Sequence, residues 1–431
     1  ARQRLRALSS RPHAEDLDRV SVAPMMDYTD RSFRALFRLL SKRATLYTEM
    51  IAANALVDDD GQMRHAPGGR VERSFLEHDD DDSDGTNTVV QLGGASPIQL
   101  RAAATVATRY GYAACNLNCG CPSDRVAGAG RFGAALMRSP ALVGECCAAL
   151  TDAFDDVSVK CRLGVVDTAA DLKALDYERV YSDLAAFVDA THAAAGVRTF
   201  VVHARVAVLS GLTPDKNRKV PPVRPDLVAR LVADFPDLRI VYNGEVGSVD
   251  DACDRLYGST CAAPWGVMVG RDACRRPWHW ASVDSTFFGA DENDPAPHRA
   301  AVLEAYAAYA DAEETRWCSE ESADRVRLGK GHPRNRLLKP VLNLFAGDPG
   351  CTHFKRLLSD TGRDKAVPIG DVLRRAAAEA VPETVLFRAP SRPEPPLAAA
   401  PGGRRGRPSP VVAGSAHYPG ARLEEASSAT S

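Results

Sequence analysis

Cys121 stands in the stretch Asn116-Leu-Asn-Cys-Gly-Cys-Pro-Ser-Asp-Arg125, which follows an apolar run and leads into a glycine-rich stretch (Gly128, Gly130) ending in Phe132-Gly133-Ala134. A thiol at the C-terminal end of a strand can serve as nucleophile, acid or ligand. Gly120 and Pro122 put Cys121 in an ordered turn before a mobile loop, whereas Cys115 and Cys161 sit inside apolar runs and read as inert buried thiols. Cys119 and Cys121 lack a second Cys/His pair at zinc-finger spacing, so no metal site is expected. Two other motifs suit an anion: Asn243-Gly244-Glu245 and Gly270-Arg271, whose backbone N–H groups and guanidinium would hold a phosphate. Lys160 and His203 each end a further apolar run. Taken singly, they read as a structural ion pair and a core histidine.

What must bring these residues together is a repeated strand–helix unit. Ala23-Pro24-Met25, Thr48-Glu49-Met50, Gln91-Leu92-Gly93-Gly94, the Cys121 stretch, Lys160-Cys161-Arg162, His203-Ala204-Arg205, Asn243-Gly244-Glu245 and Gly270-Arg271 each close a short apolar or β-branched run. The runs predict strands at 20–24, 45–48, 88–92, 112–117, 157–160, 199–203, 240–242 and 266–269, apolar on both faces as buried parallel strands are. Phe33, Leu36, Phe37 and Leu40 make a helical stripe, and Ser96-Pro97 and Ser139-Pro140 read as N-caps followed by proline. Eight alternations predict an α/β fold closed as a (β/α)₈ TIM barrel, which gathers all eight motifs on one face. An open doubly wound sheet is the alternative.

The alternation stops near Pro295–Pro297. Residues 18–295 are therefore expected to form the barrel and 296–388 a smaller all-helical domain, with Leu337, Val341, Leu342, Leu344 and Phe345 as its clearest apolar stripe. Residues 1–17 form a basic segment with Arg2, Arg4, Arg6 and Arg11, and 389–431 a Pro/Gly/Ala/Ser/Arg-rich tail expected to be disordered. The basic start reads as the end of an organellar transit peptide or as a solvated start, so a cytoplasmic or an organellar location is expected. Glu77–Asp84 reads as a solvated acidic loop. Net charge is −2 among 431 residues, which excludes a global polycation; a nucleic-acid partner would need a local patch. Eleven cysteines without framework spacing read as reduced thiols, and no run is long enough to span a membrane.

The motifs APMMDYTDRSFR (23–34), YTEM (47–50), QLGG (91–94), NLNCGCPSDRV (116–126), FGAALM (132–137), VKCRLG (159–164), HARVAVLSGLTPDKNRKVPP (203–222), NGE (243–245) and VMVGR (267–271) occur in this order, and LNLFAGDPG and FKRLLSD follow in the helical region. In these the chain resembles the tRNA-dihydrouridine synthases, most closely the subfamily acting at tRNA positions 20 and 20a. The resemblance implies a monomeric TIM-barrel flavoenzyme that reduces a tRNA uridine with bound FMN and with NADPH. It implies FMN contacts at Ala23, Pro24, Met25, Gln91, Lys160, His203, Asn243, Gly244, Glu245, Gly270 and Arg271, and a proton donor at Cys121. Asn118, Lys216, Arg218, Lys355 and Arg356 fall where that subfamily touches tRNA, and Arg162 and Arg205 would lie near the uracil.

Several positions depart from that pattern. Glu245 replaces a usual glycine, and a backbone phosphate contact there is expected to need a negative φ. Val206 and Val208 replace a Lys and a Trp, and Thr352 an Arg. Arg325, Arg327, Lys330, Arg334, Arg336 and Lys339 form a basic run expected to contact RNA. Two rival readings stay open: a flavin oxidoreductase acting on a free pyrimidine, and a non-catalytic RNA-binding protein.

Overall fold

The computed structural model describes residues 17–76, 87–123, 126, 132–258, 262–289, 294–319, 333–362 and 364–391. The acidic run near Asp79, the loop glycines Gly128 and Gly130, residues 1–16 and the tail from 392 lie outside these.

The eight expected strands all form, each within a few residues of its place: β1 (Val20–Val22), β2 (Thr45–Tyr47), β3 (Thr88–Gly93), β4 (Ala114–Cys119), β5 (Val157–Arg162), β6 (Thr199–His203), β7 (Arg239–Asn243) and β8 (Gly266–Val269), beside three two-residue strands among the described residues. Every neighbouring pair is parallel. β1 pairs with both β2 and β8, and β2 with β3, so the sheet closes into an eight-stranded barrel. β4 runs two residues past its expected end and carries Asn118 in register with Lys160 of β5.

The connecting helices are α1 (Arg31–Leu40), α2 (Arg70–Leu76), α3 (Pro97–Ala107), α4 (Pro140–Thr151), α5 (Tyr177–Ala195), α6 (Pro225–Asp234), α7 (Val249–Tyr257) and the short α8 (Arg271–Arg275). Phe33, Leu36, Phe37 and Leu40 of α1 are all buried, as their spacing predicts. The Ser96 side chain caps α3 by accepting from the Gln99 N–H at 3.3 Å. Ser139 makes no such side-chain bond before α4; the 3₁₀ turn Gly133–Arg138 ends on it, and its own N–H goes to the Leu136 carbonyl.

Strand side chains alternate between the barrel interior and the helices outside. Ala23, Tyr47, Val89, Ala114, Val201, Val241 and Met268 form a small apolar cluster separate from the main core. They mark the interior layer. Two residues further along the strands, the same inward phase carries Gln91, Asn116, His203 and Asn243. Below that layer, the Tyr47 hydroxyl bonds both carboxylate oxygens of buried Asp18, at 2.8 and 2.9 Å.

After the barrel come α9 (Arg299–Ser319), α10 (Arg334–Val341), α11 (Cys351–Thr361) and α12 (Ile369–Ala380). Leu337, Val341, Leu344 and Phe345 are buried there, with Phe345 edge-on to Phe354 at 4.9 Å; Leu342 of the same stripe is half-buried. The Arg31–Glu313 pair at 3.2 Å ties α1 to α9. Arg334 is buried: its guanidinium pairs with Glu314 at 2.5 Å and donates to the carbonyls of Gly362, Asp364 and Val367. The expectation that Arg334 contacts RNA is therefore overturned, because its hydrogen-bonding capacity is spent inside the helical region. Arg325, Arg327 and Lys330 lie outside the described residues.

Burial raises the Asp18 carboxyl from 3.8 to about 6, against the lowering by its Tyr47 bond. A folded-state value above the unfolded one stabilises fully below about pH 4, and that stabilisation is lost as pH rises through about 6. Asp18→Asn should flatten this dependence. Urea unfolding at about pH 5 and about pH 7.5 should show wild type losing about 1 kcal/mol more than the variant across the interval; equal losses would contradict the burial assigned to this carboxyl.

Candidate active site

The strand ends set the site. Cys121 lies two residues past β4, held from two directions. Its N–H and that of Gly120 both donate to Asn118 Oδ1, at 3.0 and 3.1 Å, and its carbonyl accepts from the Ala134 N–H at 2.9 Å. The half-buried sulfur lies 3.5 Å from Ser123 Oγ. Lys160 is the register partner of Asn118, so thiol and amine occupy the same end of the barrel, near enough to interact electrostatically. Lys160 Nζ donates to Asn243 Oδ1 at 3.2 Å, and Asn243 Nδ2 donates to the Met268 carbonyl at 2.8 Å.

His203 pairs in register with Arg162 on one side and Asn243 on the other. Burial, then the charges of Arg162, Lys160, Arg205 and Arg218, hold its imidazole well below the usual range, so it is neutral at pH 7. Burial and the neighbouring Arg162 bring the Lys160 amine down to about 8. Burial brings Arg162 down to about 9, with Arg218 and Arg205 adding to the effect. Arg271 is lowered by burial, then by Arg275 and Arg218. These cations repel one another at one barrel mouth, a field that favours a bound anion.

Of the other expected residues, Ala23 and Gly244 are buried, Pro24 and Met25 half-buried at the end of β1, and Gly270 caps α8. Arg271 Nη2 reaches the Arg218 carbonyl at 3.5 Å. Gln91 is fully enclosed, its amide engaged by Asn116 and Asn118. Arg162 is buried and donates to the carbonyls of Gly120 and Asn217, each at 3.2 Å. Lys216 and Arg218 flank buried Asn217 on a 3₁₀ turn, beside the mouth. Lys355 stands apart from this cluster, on α11. It bonds Asn343 Oδ1 at 2.7 Å and lines a cavity of about 220 Å³ with Tyr28, Asp30, Phe33 and Lys339. Arg356 is exposed. Asn116 and Asn217 were not singled out from the sequence. The two-residue step from Asn118 was a signal for Asn116; Asn217 had none, because only the folded loop brings its amide onto both backbone groups of Val208, at 2.8 Å each.

Among the described residues no group of three or more His, Cys, Asp or Glu is placed to hold a metal ion, and no helix is long and apolar enough to cross a membrane.

A family model described as dihydrouridine synthase matches residues 21–316. The tRNA-dihydrouridine(20/20a) synthase of Xanthomonas campestris pv. campestris is 40% identical over 343 residues, spanning 79% of this chain and 88% of that protein. Proteins of the same name from Pseudomonas putida and Salmonella typhimurium are 37% and 36% identical over 365 and 354 residues, spanning 84% and 81% of this chain and 95% and 92% of theirs. The chain belongs to the dihydrouridine synthase family. It is accordingly an enzyme, an oxidoreductase.

Within this dihydrouridine synthase the unusual Glu245 does not meet the negative φ expected for a backbone phosphate contact. Its φ is +54°, a left-handed conformation that costs a non-glycine residue roughly 1–2 kcal/mol. The strand-end loop thus keeps a course open to glycine, and the carboxylate pairs with buried Arg205, whose other arm donates to the Pro221 carbonyl. Val206 and Val208 are buried, and Thr352 is exposed on α11.

The Lys160 environment can be measured directly. After reductive ¹³C-methylation, its NMR signal should titrate near pH 8, while ordinary lysines titrate near about 10.4. A midpoint at the ordinary value would show that the amine is not desolvated.

Proposed function

We propose that this enzyme reduces the C5–C6 double bond of a tRNA uridine, at position 20 or 20a of the D-loop, to 5,6-dihydrouridine, with FMN as bound cofactor, NADPH as reductant and Cys121 as proton donor. The observation that carries the reading is the convergence of the Cys121 thiol and the Lys160 amine on one barrel mouth, joined through Asn118 and ringed by Arg162, Arg205, Arg218 and Arg271.

The donor set suits FMN. Asn243, Gly244, Gly270 and Arg271 follow the seventh and eighth strands, where TIM barrels commonly hold phosphate; Glu245, with its positive φ and its carboxylate on Arg205, drops out of the expected set. Their surroundings are cationic, with the carboxylates of Glu245 and Asp215 offsetting Arg205, Arg218 and Arg271 in part. Lys160, His203 and Asn243 would hold the ring system, with Ala23, Pro24 and Met25 along its other edge; Gln91, expected to touch it, is sealed beneath with its amide spent on Asn116 and Asn118. When bound and reduced, such a flavin supplies a hydride.

The chain's own residues then have defined tasks. A stacked base is out of reach, so the uridine must leave the stack and enter the mouth. As negative charge develops on the uracil toward C5 and O4, the Cys121 thiol gives its proton to C5, and the thiolate recovers one from solvent. Arg162 stabilises that charge from the wall. Arg205, held by Pro221 and Glu245, acts through its field. Neutral His203 can donate a hydrogen bond without adding to the cationic crowd. Lys216, Arg218, Lys355 and Arg356 would meet the RNA, chiefly its shape and phosphates; Asn118, expected among them, is enclosed with its amide spent on the Cys121 turn and Gln91.

Cys121→Ala should still bind FMN, giving a yellow protein, but should lose roughly 10²- to 10⁴-fold in dihydrouridine formation on tRNA measured by nucleoside mass spectrometry. Undiminished formation would remove Cys121 from the role. A protein that purifies without flavin and never acquires it would refute the whole reading.

A further inference from the structure

The thiol sits at the end of a one-directional chain of hydrogen bonds that runs into the barrel. The Cys121 and Gly120 N–H groups donate to Asn118 Oδ1, at 3.0 and 3.1 Å. Asn118 Nδ2 donates to Gln91 Oε1 at 2.8 Å, Gln91 Nε2 to Asn116 Oδ1 at 2.7 Å, and Asn116 Nδ2 to Ser158 Oγ at 2.8 Å. Gln91 is pinned separately, its backbone N–H donating to Thr48 Oγ1 at 3.0 Å. Gln91 and Asn116 are fully buried, and Asn118 and Ser158 nearly so. The Ser158 hydroxyl lies against that of Tyr47, which bonds Asp18.

The sense of the chain is dictated from the top. Two backbone N–H groups can be met only by an acceptor, so Asn118 must present its oxygen to them and its NH₂ to Gln91. That forces the Gln91 amide, which forces the Asn116 amide. Turning over any one amide would set two carbonyl oxygens, or two NH₂ groups, face to face without water to relieve them. A buried polar group left unpaired is strongly disfavoured, and linked bonds in a low-dielectric interior polarise one another. The chain therefore has one stable arrangement, which holds the Cys121 turn in one orientation.

We propose that Asn116, which is fully buried, is a positioning residue for Cys121, transmitting the rigidity of β4 and β5 through Gln91 and Asn118 to the turn that carries the thiol. This rests on the reading of Cys121 as proton donor. Reduction of the flavin by NADPH does not use the thiol, whereas reduction of the uridine does. A positioning role therefore separates the two half-reactions, and a general structural role does not.

The test uses the full-length, flavin-loaded protein and Asn116→Ala. Flavin reduction by NADPH, followed by the loss of absorbance near 450 nm, should stay within about twofold of wild type. Single-turnover reduction of unmodified tRNA by the pre-reduced enzyme should fall by about fivefold or more, the equivalent of one lost buried hydrogen bond. Iodoacetamide labelling of Cys121, read on its peptide by mass spectrometry with and without flavin, should speed up by a similar factor as the turn loosens. Should Asn116→Ala fail to fold, Ser158→Ala removes only the far acceptor and should produce the same separation to a smaller degree. Equal slowing of both half-reactions, or wild-type uridine reduction and wild-type labelling, would overturn the positioning role. Wild-type enzyme inactive on tRNA would instead overturn the underlying functional reading.

Discussion

Polar side chains turned into a closed barrel cannot reach water, so they must satisfy one another, and the rest of this molecule follows from that constraint. Closure through the β2–β3 pairing removes the sheet edges and fixes which residues face inward. The inward phase then stacks an apolar layer (Val89, Ala114, Val201, Val241, Met268) beneath amides, and above the amides the residues of the mouth. Gln91, Asn116, Asn118 and Ser158 solve the problem by bonding in series. Their rigidity is a consequence of being enclosed; on a surface, water would replace each bond at little loss.

The second consequence is electrostatic. Lys160, Arg162 and Arg271 are brought together with Arg205 and Arg218, where burial and mutual repulsion disfavour the charged forms of the first three. A protein does not hold such a group without support. Part of it is internal, from the carbonyls of Gly120, Asn217, Pro221 and Arg218 and the carboxylate of Glu245. The remaining positive field is what makes the mouth suited to an anionic ligand. Glu245 shows the local compromise: it adopts glycine's backbone conformation and places its charge on Arg205.

The helical region answers a different demand. Its core is apolar, yet Arg334 lies within it, bonded to Glu314 and three carbonyls. From sequence, Arg334 was indistinguishable from its basic neighbours, since a run of Arg and Lys carries no information on which members turn inward. Arg299 is similar, buried against Trp278 and paired with Asp348 at 2.5 Å. By contrast the apolar stripe that starts on α10 and runs past its end to Phe345 was legible, because hydrophobic spacing reports burial directly.

Sequence alone determined the eight strands, their closing motifs and the family resemblance, because a parallel barrel strand is a local apolar run and each motif is contiguous. It also placed Cys121, Lys160 and His203 at the ends of such runs, though for Lys160 and His203 the family resemblance, and not position alone, marked them as site residues. Only the tertiary structure decided which side chains bond across strands: that Asn118 extends β4 to meet Lys160, that Gln91 is sealed beneath the mouth, that Asn217 clamps Val208, and that Glu245 takes a positive φ. The physical reason is register. Side-chain alternation is a local property of each strand, but which residue stands opposite which depends on the stagger with which eight distant segments close into a ring.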